Sequence, residues 1–233
     1  IRDTDWFVCV HNRDRIYSPK DEDMHSYRNC NIENYELAVD TIIARGGWCI
    51  RMGEKETTGL KQRRGVINYA SSEFKSDWMD LFLISECRFF LGASSGLFGV
   101  ASIFHVPSAL ANLSPAGASL GFSSSDLAIP KYIQRSDNTV MRFDEMLNDK
   151  SSLYRSSELF QQDGLCLMEN SSEQIQDLVR EMMDRLDGSW VADPIDEEAQ
   201  AWFREQLQPQ HYVFGSCSRW GAYFCLLYTS DAA

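Results

Sequence analysis

The chain has 233 residues, with 22 lysines and arginines against 34 aspartates and glutamates, a formal charge of −12. Hydrophobic residues at 44% and charged residues at 24% fit a globular fold and exclude disordered, collagen-like and disulfide-scaffold chains. No run approaches the roughly 20 apolar residues of a membrane-spanning helix, and there is no basic excess to hold nucleic acid. The acidity is local: Phe143 to Glu205 carries 16 acids and 5 bases, and the remainder is nearly neutral.

Taken in chain order, short apolar runs alternate with helical periodicity. Trp6 to Val10 reads as a buried strand. Asn31 can cap a helix that places Tyr35, Ala38, Val39, Ile42 and Ile43 on one face and stops at Gly46-Gly47. Trp48 to Met52 is the next strand, Gly59 to Arg64 a loop, and Val66 to Tyr69 a short strand. Ser76 opens a helix with Trp78, Leu81, Phe82 and Ser85 at i, i+3, i+4, i+7. Arg88 to Leu91 is a strand running into Gly92-Ala93-Ser94-Ser95-Gly96, and the following helix is expected to bury Leu97, Val100, Ala101 and Phe104. Pro107 to Ala111 adds a strand, and Ser114 to Ser125 reads as a Gly/Ser-rich loop. Farther on, Ser171-x-x-Gln174 is a capping box before Ile175, Leu178, Val179, Met182 and Leu186. Asp193-Pro194 opens a last helix through Trp202 and Phe203. The acids of these two helices are expected to face outward. The pattern predicts an α/β fold with a Rossmann-like, doubly wound parallel sheet. Residues 1–131 would form its core and 132–224 a C-terminal helical completion of the same domain.

The ends and the cysteines add context. The chain opens at Ile1-Arg2-Asp3 almost directly on a strand, without an initiator Met, so an N-terminal domain is expected upstream. Residues 225–233 read as a translated sequencing adapter, a scar outside the fold, with a genuine apolar tail as the alternative. Of the 7 cysteines, Cys225 belongs to that scar, while Cys9, Cys49 and Cys87 sit in apolar runs and read as buried thiols. The absence of any CxxC pair speaks against a zinc ribbon or thioredoxin-like site and fits a reducing cytoplasm.

In an open α/β sheet, ligands bind outside the carboxyl ends of the strands. His11-Asn12-Arg13-Asp14, Arg51-Met52-Gly53 and the Gly92–Gly96 turn all follow predicted strands. Small residues in the turn would let backbone N–H groups and a helix N-terminus approach an anion, with Ser94 or Ser95 adding a hydroxyl. Arg13 would clamp phosphate oxygens. The same serines could equally be plain helix caps, and His11 a hydrogen-bonded structural residue. Asp80 lies among Met79, Leu81 and Phe82, so its carboxylate either faces solvent or needs a partner or ligand. Lys55, Lys61, Arg63 and Arg64 form a basic loop at the border of this region. No P-loop, GxGxxG, HExxH or nucleophile elbow occurs, and no metal site is expected.

In order, Phe7–Asp14, Arg28-Asn29 with Ile32 and Tyr35, Ile50–Gly53, Ile67–Ala70, Ser76–Leu83, Cys87–Leu97 and Asp126–Lys131 resemble a bacterial glycosyltransferase family. The resemblance covers most of residues 5–131, with a looser echo at Ser218 to Phe224. That family is in turn distantly similar to fucosyltransferases of the twin-Rossmann (GT-B) type, of which this chain would be the C-terminal, donor-binding half. The resemblance implies that His11 and Arg13 grip the diphosphate, Asp80 contacts a guanine, and Ser94, Ser95 and Gly96 approach phosphate. Asp14 stands where those enzymes carry a second Arg, Gly96 replaces their Gln, and the turn is one residue shorter. The implied activity is metal-independent transfer from a nucleotide-diphosphate sugar, with GDP-fucose one candidate donor, to a glycan or other acceptor. No separate cofactor is implied, since the nucleotide sugar is the substrate. A nucleotide-sugar epimerase and a non-catalytic nucleotide- or sugar-binding module are the alternatives.

Overall fold

The computed structural model of the protein describes residues 2, 4–16, 19–119 and 121–224, so the adapter-like segment 225–233 lies outside the described residues. The first half contains β1 (Phe7–His11), α1 (Glu22–His25), α2 (Glu36–Ala44), β2 (Trp48–Arg51), β3 (Val66–Ile67), α3 (Asp77–Glu86), β4 (Phe89–Gly92), α4 (Gly96–Ile103) and β5 (Ser108–Leu113). The second contains β6 (Leu127–Pro130), β7 (Tyr132–Gln134), α5 (Phe143–Asn148), α6 (Ser157–Gln162), β8 (Cys166–Met168), α7 (Ser172–Leu186), α8 (Pro194–Gln206) and β9 (Arg219–Trp220).

Seven strands form one parallel sheet in the order β3-β2-β1-β4-β5-β6-β9, while β7 and β8 pair antiparallel beside it. Residues opposite each other in adjacent strands share a face, so the pairs Val8↔Cys49 and Cys9↔Ile50 put Cys9 and Cys49 on opposite faces. The Cys49 thiol lies 4.0 Å from the Val39 carbonyl of α2 and the Cys9 thiol 3.4 Å from the Leu83 carbonyl of α3. Helices α2 and α3 therefore cover opposite faces, with α7 packed on α2 and α4 on α3. This is the doubly wound, Rossmann-like α/β architecture expected from the alternating pattern.

The caps follow the sequence closely. Asn31, Ser76, Ser171 and Asp193 each accept a hydrogen bond from the first turn of the helical segment that follows, and the Ser171–Gln174 capping box is complete. Asn31 caps a 3₁₀ turn, Ile32–Tyr35, that leads into α2. Past Asn112 the sequence pattern missed β6 to β9, α5 and α6. Leu127–Pro130 is only four residues long and buried on both faces, so it shows neither alternation nor length. One hydrophobic cluster runs from Val8 to Phe224, and Phe143 sits edge-on to Phe203 and Trp220 at 4.6 and 4.8 Å.

Three expectations are corrected. The Trp78/Leu81/Phe82 stripe of α3 faces outward, with Trp78 67% exposed, while Ile84 is buried. On α4 the buried aromatic is Phe98, and Phe104 is exposed. Of the acids on α7 and α8, Glu181 and Asp196 point inward. Glu181 accepts from the Ala222 N–H and Arg185, and Asp196 pairs with Arg219.

Candidate functional site

The strand order reverses at β1, where β2 and β3 lie to one side and β4, β5, β6 and β9 to the other. Loops leaving β1 and β4 there part to opposite faces and open a crevice at the carboxyl edge. A cleft of about 460 Å3 occupies it, lined by the residues that follow β1, β2 and β4 and by the first turn of α3. Gly92 makes the close approach of β1 and β4 possible, since a Cβ there would lie 2.7 Å from the His11 carbonyl oxygen.

Arg13 leaves β1 into this cleft. Its Nη1 donates to the His25 carbonyl at 3.1 Å and to Asn29 Oδ1, and Asn29 in turn donates to the Glu22 carboxylate at 2.8 Å. The Nε and Nη2 edge has no partner among the described residues. Buried Lys131 donates to the Asn29 carbonyl from beneath, its ammonium pKa lowered by burial. Arg28 comes from a different segment and lines the same cleft. Its Nη2 donates to the Ser94 carbonyl at 2.7 Å, and its buried Nε has no partner among the described residues. Burial, reinforced by the charge of Arg13, lowers the Arg28 pKa. Two guanidinium groups thus converge where Ser95 caps α4 by accepting from the Phe98 N–H at 3.3 Å. The next N–H groups, of Gly96 and Leu97, have no partner inside the helix.

Arg51 does not reach the cleft. It is 0% exposed and spends its donors on the Thr58 carbonyl, the Met52 carbonyl and Asn12 Oδ1. Asn12 also donates to the Cys30 carbonyl at 2.6 Å, which locks the loop after β1. The expectation that Arg51 touches a ligand is corrected: β2 ends inside the layer, so its last side chain runs beneath the cleft. Burial pulls its pKa down to about 10, so it remains a cation at neutral pH. Ser94 also departs from expectation, lending its backbone carbonyl to Arg28 while lining a neighbouring cleft.

His11 lines the cleft as an uncharged ring. Burial first, then the charges of Arg51 and Arg13, lower its pKa to about 3, and its buried Nδ1 has no partner among the described residues. Asp80 also faces the cleft and pairs with Lys75, whose ammonium lies 5.9 Å from the Tyr69 ring centroid. Asp80 Oδ1 is buried without a partner among the described residues. Sequence reasoning missed Arg28, Lys75 and Asn29 as site residues. The signal for Arg28-Asn29 lay only in the resemblance, and Lys75 precedes its helix with no motif of its own. No group of three or more His, Cys, Asp or Glu side chains suited to a metal occurs among the described residues. No helix among them is long and apolar enough to cross a membrane.

No family model matches the chain, and no curated protein does. Among solved structures, it is similar to the dodecameric iron-containing heptosyltransferase TibC in complex with ADP-D-beta-D-heptose. The TM-score is 0.39 and the identity 12%, covering 80% of this chain and 48% of that one, so this chain spans about half that structure's length.

Proposed function

We propose that the cleft holds the diphosphate of a nucleotide sugar, and that the chain is the donor-binding, C-terminal half of a GT-B glycosyltransferase of the family it resembles. The observation that carries this is the convergence of Arg13, Arg28 and the N-terminus of α4 at the strand-order reversal. Negative charge grows on the diphosphate as the sugar–oxygen bond breaks. Donors already fixed around that oxygen bind the transition state more tightly than the ground state. Arg13 is held by His25 and Asn29 and Arg28 by Ser94, so little reorganisation accompanies the reaction. Arg51 adds a buried positive charge beneath the phosphates without touching them. His11, being neutral, serves as a hydrogen-bonding group there.

Asp80 would accept from ring N–H groups of a base, with Oδ1 the oxygen Lys75 leaves open, which suits guanine and makes GDP-fucose one candidate donor. The acceptor-facing half is expected from an upstream domain, so this chain alone would bind nucleotide and transfer nothing. The six described cysteines are free thiols, in keeping with a cytoplasmic protein.

Calorimetric titration with GDP, UDP, CMP and ADP, on the parent chain and on Arg13→Ala and Asp80→Ala, tests the reading. GDP preference that Asp80→Ala weakens supports the guanine site. UDP or CMP preference keeps the donor site and removes guanine. No binding by folded protein, or binding indifferent to Arg13→Ala, overturns the phosphate cradle.

A further inference from the structure

Residues 22–29 set up the charged cleft, yet they have little of their own to hold them in place. They supply Arg28, together with the His25 carbonyl and the Asn29 side chain that tether Arg13. Helix α1, which opens the segment, buries no side chain, and Met24 is 55% exposed. Tyr27 alone in the segment is buried. One buried side chain offsets little of the entropy lost in fixing eight residues. Something else must keep two guanidinium groups in register.

A single hydroxyl from the far half of the chain meets the segment at three points. Ser157, the first residue of α6, is buried. Its O–H donates to the Met24 carbonyl at 3.2 Å, and its oxygen accepts from the Tyr27 N–H at 3.0 Å and from the Ser26 hydroxyl at 2.8 Å. One donor and two acceptor positions are all that a serine hydroxyl offers, so the group is fully used. Capping α6 does not require it. Ser156 performs that task by accepting from the Glu158 N–H at 3.3 Å. Helix α6 is itself anchored through Phe160, which is buried in the core with its ring 5.3 Å from Tyr154 and 5.7 Å from Tyr27. The segment thus has two sides: Met24, Ser26 and Tyr27 bond to α6, and His25, Arg28 and Asn29 serve the cleft.

We propose that Ser157 is a positioning residue for the diphosphate: it clasps residues 24–27 to α6 and thereby aims Arg13 and Arg28 into the cleft. Donors that are already fixed bind an anion without first being ordered. Loosening the segment therefore weakens binding although Ser157 never touches the ligand. Removing the hydroxyl leaves the Tyr27 N–H without its partner and frees the stretch that carries both tethers of Arg13. The clasp stands on these contacts alone; its effect on a diphosphate rests on the nucleotide-sugar reading.

Two measurements on the whole chain test it, each on the parent and on Ser157→Ala: calorimetric titration with inorganic pyrophosphate, and amide hydrogen exchange read by mass spectrometry. Ser157→Ala should weaken pyrophosphate binding by roughly fivefold or more. Exchange across residues 22–29 should quicken by roughly tenfold, while α2 and β4 stay as slow as in the parent. Ser26→Ala, which removes one of the three bonds and leaves the Tyr27 N–H paired, replaces Ser157→Ala if circular dichroism shows that variant unfolded. Its losses should be smaller and of the same sign. Unchanged exchange across residues 22–29 overturns the clasp, and faster exchange throughout the molecule overturns it as well, since it would mark Ser157 as a general packing residue. Pyrophosphate binding that is equal in parent and variant removes the positioning role and leaves the donor reading intact. No pyrophosphate binding by the folded parent overturns the donor reading and the positioning role with it, whereas exchange still decides the clasp.

Discussion

Arg28 takes part in the candidate site although no motif announces it. It lies beyond α1 and reaches the cleft because Tyr27 is buried beside it and its own guanidinium is tethered to the Ser94 carbonyl. A hydrogen bond to a charged group contributes about 1.5–3 kcal/mol, so Arg28→Ala should weaken nucleoside diphosphate binding by roughly ten- to a hundredfold. Calorimetry reads this directly, and unchanged affinity would leave Arg28 only the task of holding the turn before α4. His11 makes a different prediction. Its folded pKa of about 3 lies below the ordinary 6.5, so the unfolded chain takes up the proton first as the pH falls. Through this group the folded state loses stability between pH 6.5 and about 3, at up to about 1.4 kcal/mol per unit. Urea midpoints measured across that window should decline less steeply for His11→Gln than for the parent chain. Identical slopes would mean the ring is not buried as described.

At the scale of elements, α3 shows how a helical stripe misleads when read alone. Periodicity identifies an apolar face but not whether the sheet lies beneath it; here Leu83 and Ile84 turn inward and Trp78 outward, stacked on Phe82 at 5.4 Å. Ile84→Ala should cost about 2–5 kcal/mol, whereas Trp78→Ala should stay within about 0.5. Chemical denaturation of the two variants checks the contrast, and a reversed order would mean that the outer face of α3 is covered. At the far edge of the sheet, β9 pairs with β6 through Arg219 and Gly221, so Trp220 turns its backbone N–H and carbonyl away from the sheet. Gln200 of α8 meets both, donating to the Trp220 carbonyl at 2.7 Å and accepting from its N–H at 3.1 Å. The side-chain amide thus stands in for a further strand and closes the edge. Gln200→Ala should destabilise the fold by about 2–4 kcal/mol through two buried unpaired groups. A loss below 0.5 kcal/mol in urea unfolding would show that water replaces them.

Over the whole molecule, the stretch from 132 to 224 is part of the same core. Helix α7 packs along α2, and the buried cluster continues through Phe143, Met182 and Phe203 to Phe224. A chain ending at Lys131 would expose the surfaces of α2, β5 and β6 that α7 covers and would lose β9. Such a chain should lack near-ultraviolet circular dichroism and a cooperative thermal transition, in contrast to residues 1–224. A cooperative transition in the shorter chain would make 132–224 an appendage.

What the sequence by itself determined is local. Alternating apolar runs, four caps and the small-residue turn after β4 specified a parallel α/β sheet and pointed to His11, Arg13, Asp80 and Ser95 at its edge. Those features depend on residues a few positions apart, where backbone geometry and periodicity act directly. Tertiary structure alone decided that Arg28 stands beside Arg13, that Arg51 is buried, that Ser94 faces the neighbouring cleft and that Glu181 and Asp196 point inward. Those outcomes depend on strand order, on register and on loops meeting from distant parts of the chain. A residue's own neighbours do not encode which element will close over it, because that is set by the packing of layers whose parts are far apart in sequence.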